Sequence, residues 1–316
     1  MRKSSAALAT LSLAAAALTG CAAAPAFDGA SCDRDALSTG VDSIATISGE
    51  IGTAPDVELH TPIGDVSGFD DVIVGEGRAI TSATQKALVE FSVYSGETGD
   101  FIGATAYDEQ VSQMVSVADY AQSGPALAAA LECATEGTRS VVVFSADEAA
   151  MAFGVDEPAV VVLDVVSVFP SRAEGTAQFN DGRGLPSVVR APDGRPGIIV
   201  PDTEAPTELV AQTLIAGDGE TVAEGDSLLV QYTGVTWADK KVFDSSWERG
   251  ATIFDLQQLI PGFSQGLIGQ TVGSQVLIVV PPELGYGEQG TGSIPGGSTL
   301  VFVVDILAIE SSAAAG

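Results

Sequence analysis

The stretch LLVQYTGV at 228–235 alternates, with Leu228, Val230 and Tyr232 on one face and Leu229 and Gln231 on the other, the period of a β-strand. SQVLIVVPP at 274–282 follows Gly273, ends in a Pro-Pro stop and reads as another strand. STLVFVVDILAIE at 298–310 is long and β-branched, fit for a central position. Between them only PGFSQGLIG, 261–269, has helical spacing. Pro261 suits a first helical position, Phe263 and Leu267 are four apart, and Gly269 suits a C-terminal cap. One short helix against four or more antiparallel strands predicts an α+β fold, with the helix filling the concave face of a twisted sheet.

The pattern occurs twice. GEGRAITSATQKALVEFSVYSG at 75–96 parallels GDGETVAEGDSLLVQYTGVTW at 217–237. SVVVFSADEAAMAFG at 140–154 parallels SQVLIVVPPELGYG at 274–287, and EPAVVVLDVVSV at 157–168 parallels GSTLVFVVDILAI at 297–309. Upstream, APDVEL at 54–59 matches RPGIIV at 195–200. The chain therefore divides into two copies of one domain, 50–170 and 195–316. The polar, Gly-containing stretch within 171–194 is the linker.

Composition narrows the function. The 316 residues are 46% hydrophobic and 17% charged, enough for packed cores. Thirteen Lys and Arg face 42 Asp and Glu, a formal net charge of −29. That excludes nucleic acid and charge-driven lipid binding, both of which need basic residues. The first 20 residues are not part of the fold: Arg2 and Lys3 precede an apolar run too short for a permanent membrane span. The run ends in LTGC, which resembles a bacterial lipobox. Residues 1–20 are thus expected to be a lipoprotein signal peptide and Cys21 the lipidated first residue, with 21–49 a tether. This places the protein on the outer face of the cell membrane, held by its lipid. Cys32 and Cys133 remain. Outside the cytosol they most simply form one disulfide, a free buried Cys133 being the alternative. His60 is the one histidine, so metal sites and Ser-His or Cys-His catalysis lack their commonest residue.

The second copy, from 209 to 310, resembles the FKBP-type peptidyl-prolyl cis-trans isomerases. The resemblance rests on VQYTGV, KVFDSSWERG, LIPGFSQGLIGQTVGSQVLIVVPPELGYGEQGTGSIPGGSTLVFVVDIL and their order. It implies two FKBP-like domains, each an antiparallel β-sheet wrapped around a short α-helix. It also implies a pocket. Tyr232 would be one wall, and Phe243 and Asp244 an aromatic wall and the pocket carboxylate. Leu259 and Ile260 would line the base, with Phe263 as floor where relatives usually have tryptophan. Tyr286 would offer its hydroxyl to a substrate carbonyl, Ile294 its backbone N–H to another, and Phe302 would close the far side. Phe254 matches either of two family positions. The resemblance implies no cofactor and no metal. The implied partners are exported or unfolded proteins with X-Pro bonds, and the macrolide inhibitors of the family. A monomer is expected.

The first copy keeps the strands and loses the pocket. Phe91 stands for Tyr232, IGATA for VFDSS (placing Gly103 and Ala104 opposite Phe243 and Asp244), and Phe153 for Tyr286. It reads as a degenerate copy with little or no isomerase activity, and its sequence leaves three roles open: binding unfolded chain, holding the catalytic copy away from the membrane, or decay. A chaperone or scaffold that only holds Pro-containing segments is the alternative for the whole protein. Tyr232, Asp244 and Tyr286 together favour catalysis, because holding alone needs no polar groups.

Overall fold

A computed structural model describes residues 26–32, 34, 42–107, 113–179 and 182–310. Residues 1–20, expected to be a signal peptide, and Cys21 lie outside the described residues. A short ribbon, β1 (Ala26–Phe27) with β2 (Ala30–Ser31), and a hairpin, β3 (Ala45–Ser48) with β4 (Asp56–Leu59), precede the first sheet. That sheet holds β5 (Gly68–Ile73), β6 (Ala87–Ser95), β7 (Phe101–Ala104), β8 (Gln113–Val115), β9 (Arg139–Phe144) and β10 (Ala159–Val168). Its order is β5-β9-β10-β6-β7, with β8 also on β6. The linker supplies β11 (Thr176–Ala177) and β12 (Ser187–Arg190), which forms a second hairpin with β13 (Pro196–Ile199) at the start of the second copy. The second sheet adds β14 (Val210–Ala216), β15 (Ser227–Thr236), β16 (Val242–Ser245), β17 (Thr252–Asp255), β18 (Gln275–Val280) and β19 (Leu300–Glu310). Its order, β11-β14-β18-β19-β15-β16 with β17 also on β15, repeats the first sheet with one added edge strand. All pairs are antiparallel.

The register makes the duplication residue-specific. Phe91 pairs with Leu163 as Tyr232 pairs with Val304. One correction concerns the VFDSS strand. Asp244 pairs with Gly234 and Val242 with Val235, leaving Phe243 in a bulge. In the first copy Gly103 pairs with Val93 and Phe101 with Tyr94. Ile102, not Gly103, therefore stands for Phe243, and Gly103 for Asp244. An ungapped comparison slips by one here.

The helices also differ from expectation. The second copy has its one α-helix, Pro261–Leu267, with Gly269 at φ 84° just beyond it. The first copy has three: α1 (Val117–Tyr120), α2 (Pro125–Leu131) and α3 (Ala146–Phe153). Helix α3 forms because Ser145 and Glu148 make a capping box and Gly154 takes a left-handed C-cap. The second copy has Pro281-Pro282 there and makes only a 3₁₀ turn, Pro282–Leu284. The helix Pro261–Leu267 is called α4 below.

Both faces of each sheet are covered, which period-2 alternation did not foretell. Helix α2 and helix α4 fill the concave sides. On the convex sides the hairpins pack: Ala45, Ile47 and Leu59 against Val141, Val143 and Val160; Val188 and Ile198 against Leu277, Val279 and Val301. One buried carboxylate per copy pins the incoming chain. Asp164 is bidentate with Arg139 at 2.6 Å for both bonds and accepts from the Gly52 N–H at 2.8 Å. Arg139 also donates to the carbonyls of Gly49 and Glu50, at 3.0 and 2.9 Å. Asp305, at the same position of the second sheet, accepts from Gln275 at 2.7 Å and from the Ala173 N–H at 2.8 Å. Burial pushes the Asp305 carboxyl above the usual carboxylate range.

Parts of the segment expected to be a tether are held against the first copy. Cys32 and Cys133 are bonded, with Cα atoms 5.6 Å apart. Beside them Arg34 pairs with Asp71 and donates to the carbonyls of Ala130 and Glu132, both at 2.7 Å. Among the described residues no helix is long and apolar enough to cross a membrane.

Candidate active site

Helix α4 sets the floor. A Cβ on Gly262 would come within 2.4 Å of Val280, and one on Gly266 within 2.7 Å of Ile278. The glycines let the helix lie directly on β18, which buries Phe263 and Leu267. From there a chain of rings runs across the concave face. Phe263 meets Phe302 edge-on at 4.9 Å and Phe254 at 5.7 Å; Phe254 meets Tyr232 at 5.1 Å. Phe302 meets Phe243 edge-on at 5.6 Å. These are favourable aromatic geometries. A Cβ on Gly234 would lie 2.5 Å from the Phe243 ring, so this glycine makes the seat that the β16 bulge aims Phe243 into.

Tyr232, Phe263 and Phe302 are buried, while Phe243, Phe254, Leu259 and Ile260 are partly open. The cluster is therefore an apolar floor with an open rim. Phe254, whose position the sequence left between two alternatives, lies inside the cluster. The rim carries one polar knot. The Tyr232 hydroxyl donates to Asp244, and Arg249 donates to Asp244 at 2.9 Å and contacts the Tyr232 hydroxyl at 3.3 Å. The Ser245 N–H donates to Asp244 at 2.9 Å, and the Tyr232 N–H to Ser246 at 2.9 Å. The two serines of FDSS thus fix the carboxylate and its strand. Burial opposes ionisation of Asp244, but hydrogen bonds from Tyr232 and Arg249 outweigh it and hold the carboxyl below its ordinary range. Burial, then the Asp244 acceptor, pushes the Tyr232 hydroxyl well above its ordinary value. Arg249 was missed in the sequence; its place five residues after Asp244, on the turn leaving β16, was the available signal.

The loop from Tyr286 to Ile294 is closed on itself. Gly290 N–H donates to Tyr286, Gly297 N–H to Gly287, and Thr291 and Ile294 exchange both backbone bonds. A Cβ on Gly296 would lie 2.0 Å from the Glu288 carbonyl, and Gly290 sits at φ 68°. Tyr286 stands 39% exposed at one end; Ile294 is buried at the other. The expected role of the Ile294 amide needs correction. Its N–H bonds the Thr291 carbonyl at 2.8 Å, so it closes the turn and is not offered to a ligand. The Ile260 N–H, at the N-cap of α4 beside Phe263, makes no hydrogen bond among the described residues. It is the open backbone donor at the pocket base.

Among the described residues no group of three or more His, Cys, Asp or Glu side chains could hold a metal ion.

A known family matches the second copy. The family model for FKBP-type peptidyl-prolyl cis-trans isomerase matches residues 218–307. A probable FK506-binding protein of Corynebacterium glutamicum is 40% identical over 114 residues, which cover 36% of this chain and 97% of that protein. The FKBP-type peptidyl-prolyl cis-trans isomerase FkpA of Escherichia coli is 43% identical over 105 residues, covering 33% of this chain and 38% of that protein. The crystal structure of FkpA from Escherichia coli aligns with 41% of this chain and 52% of its own at 34% identity, with a TM-score of 0.32. By the near-complete span of the Corynebacterium relative, this chain belongs to the FKBP-type peptidyl-prolyl cis-trans isomerases.

Proposed function

We propose that the second copy isomerises X-Pro bonds of exported proteins by enclosing the proline ring and twisting its amide. The observation that carries the reading is the continuous ring cluster from Tyr232 to Phe243, open at its rim. The reaction has a barrier of roughly 18–20 kcal/mol from C–N double-bond character. It needs no nucleophile, metal or cofactor. It needs an apolar wall for the ring, and donors placed for an amide whose carbonyl has left conjugation. The rings supply the first. The Ile260 N–H and the exposed Tyr286 hydroxyl are the donors in this reading, and Asp244, held by Tyr232 and Arg249, orients the wall. The first copy lacks Asp244, Phe243 and Tyr286 and is read as inactive.

Dividing the chain between Arg172 and Ala173 keeps the Asp305–Ala173 bond with the second sheet. A protease-coupled proline-isomerisation assay should then find the activity of the whole chain in 173–316 and none above background in 26–172. Comparable rates from the two pieces would overturn the assignment.

We propose also that Cys21 carries lipid and that the protein works on the outer face of the cell membrane. The support is the LTGC sequence after a short apolar run. Cys21→Ser should release or misprocess the protein in cells; normal cleavage and retention at the membrane would sink the anchor.

A further inference from the structure

The first copy holds a cavity of about 320 Å³ on its concave face, lined among others by Phe91, Leu127, Phe144, Met151, Phe153 and Val161. Its place in the fold is that of the ring cluster. Phe91 stands where Tyr232 stands and Val161 where Phe302 stands, by strand register. Leu127 is the third residue of α2 as Phe263 is of α4, each helix beginning with proline.

What changed is the source of the walls. Val93 replaces Gly234, so the seat of Phe243 is filled, and its counterpart Ile102 turns out to solvent at 40% exposure. The lost aromatic wall is replaced from the opposite edge. Phe144, on β9, meets Phe153, the last residue of α3, edge-on at 5.2 Å. Helix α3 occupies the stretch that carries the 3₁₀ turn and Tyr286 in the second copy. The polar knot has gone, and no lining residue is charged. Decay would leave such a cavity collapsed or filled; here a new helix walls it.

We infer that this cavity is a non-catalytic site for unfolded polypeptide, taking one bulky apolar side chain of an extended segment that carries basic residues beside it. The inference rests on the reading of the second copy as a peptide site. The shared register gives the extended peptide. The volume, at the lower end of the range of ligand pockets, admits a bulky apolar side chain. The helix beside the mouth gives the charge: Asp147 lies in the first turn of α3, four residues before Met151, in a chain of net charge −29. Met151, 62% exposed at the mouth, provides the adaptable apolar contact. Without counterparts of Asp244 and Tyr286, the site holds and does not turn over.

The test uses the whole chain and a fluorescein-labelled, proline-free peptide, Gly-Lys-Ser-Leu-Phe-Leu-Ser-Lys-Gly, read by fluorescence polarisation. Met151→Lys with Ala152→Lys places charge of the peptide's own sign at the mouth on exposed positions. It should weaken binding by about tenfold or more, whereas Phe243→Ala should leave it within about twofold. A peptide with Glu for Lys should bind more weakly than the original. No saturable binding up to about 1 mM, equal binding to the Met151/Ala152 variant, or loss of binding in Phe243→Ala would overturn the inference. Isomerase activity in the same samples reports on the second copy alone, so failure of that reading is told apart from failure of this one.

Discussion

Phe243→Ala should lower kcat/KM for X-Pro isomerisation by about 10–100-fold, and Tyr286→Phe by about tenfold at most. The Phe243 ring is partly open and rests edge-on against Phe302, in a seat that exists because residue 234 is glycine. Removing it exposes the neighbouring ring and takes away a wall whose burial is worth roughly 1.5–3 kcal/mol. Tyr286→Phe keeps the ring and removes one hydrogen bond, roughly 0.5–1.5 kcal/mol. The same logic sets the pH dependence. Asp244 is held below the ordinary Asp value of about 3.9 and Tyr232 above the ordinary Tyr value of about 10, so neither changes charge from pH 6 to 8. Measured over that range, the rate should be flat. Acid–base catalysis would instead give a sigmoid. A sigmoid, or a larger loss in Tyr286→Phe than in Phe243→Ala, would show that enclosure is not the dominant effect.

Asp164→Ala should destabilise the first copy by about 3–5 kcal/mol, because it strands the buried Arg139 guanidinium among carbonyls that cannot neutralise it. In a domain of this size that lowers the melting temperature by roughly 10–20 °C. Arg139→Gln should cost less, since it recreates the neutral amide and carboxylate that the second copy already uses at Gln275 and Asp305. The isomerase activity of the second copy should be unchanged at room temperature in both variants. Calorimetry of the whole chain gives the answer: a shift of only a degree or two in Asp164→Ala would mean the pair contributes no more than a surface ion pair.

The strands and the helix Pro261–Leu267 were legible because each is a periodic apolar run between glycines and prolines. The ring cluster was legible because its residues sit in short motifs of fixed spacing. Other features were not, for particular reasons. The bulge at Phe243 shifts a register that an ungapped comparison cannot see. Helix α3 carries its own start and stop signals, Ser145 with Glu148 and Gly154, but its alignment with PPELGYG hid them. The hairpin over each convex face is a tertiary partner, and alternation along one strand reports only that a face is apolar, not what covers it. That the Ile294 amide is taken and the Ile260 amide open depends on which one the folded loop already bonds.

The closed loop between Tyr286 and Ile294 bears on the thermodynamics of substrate capture. Ordering a free backbone costs roughly 1–2 kcal/mol per residue. A flap whose amides are already bonded to its own carbonyls, with glycines where the strands of the loop touch, has met that cost during folding. On the proposed reading of the site, binding would then lose little conformational entropy, and varied sequences around the proline could still be held. A rigid rim of this kind gives tolerance of sequence through preorganisation rather than through mobility.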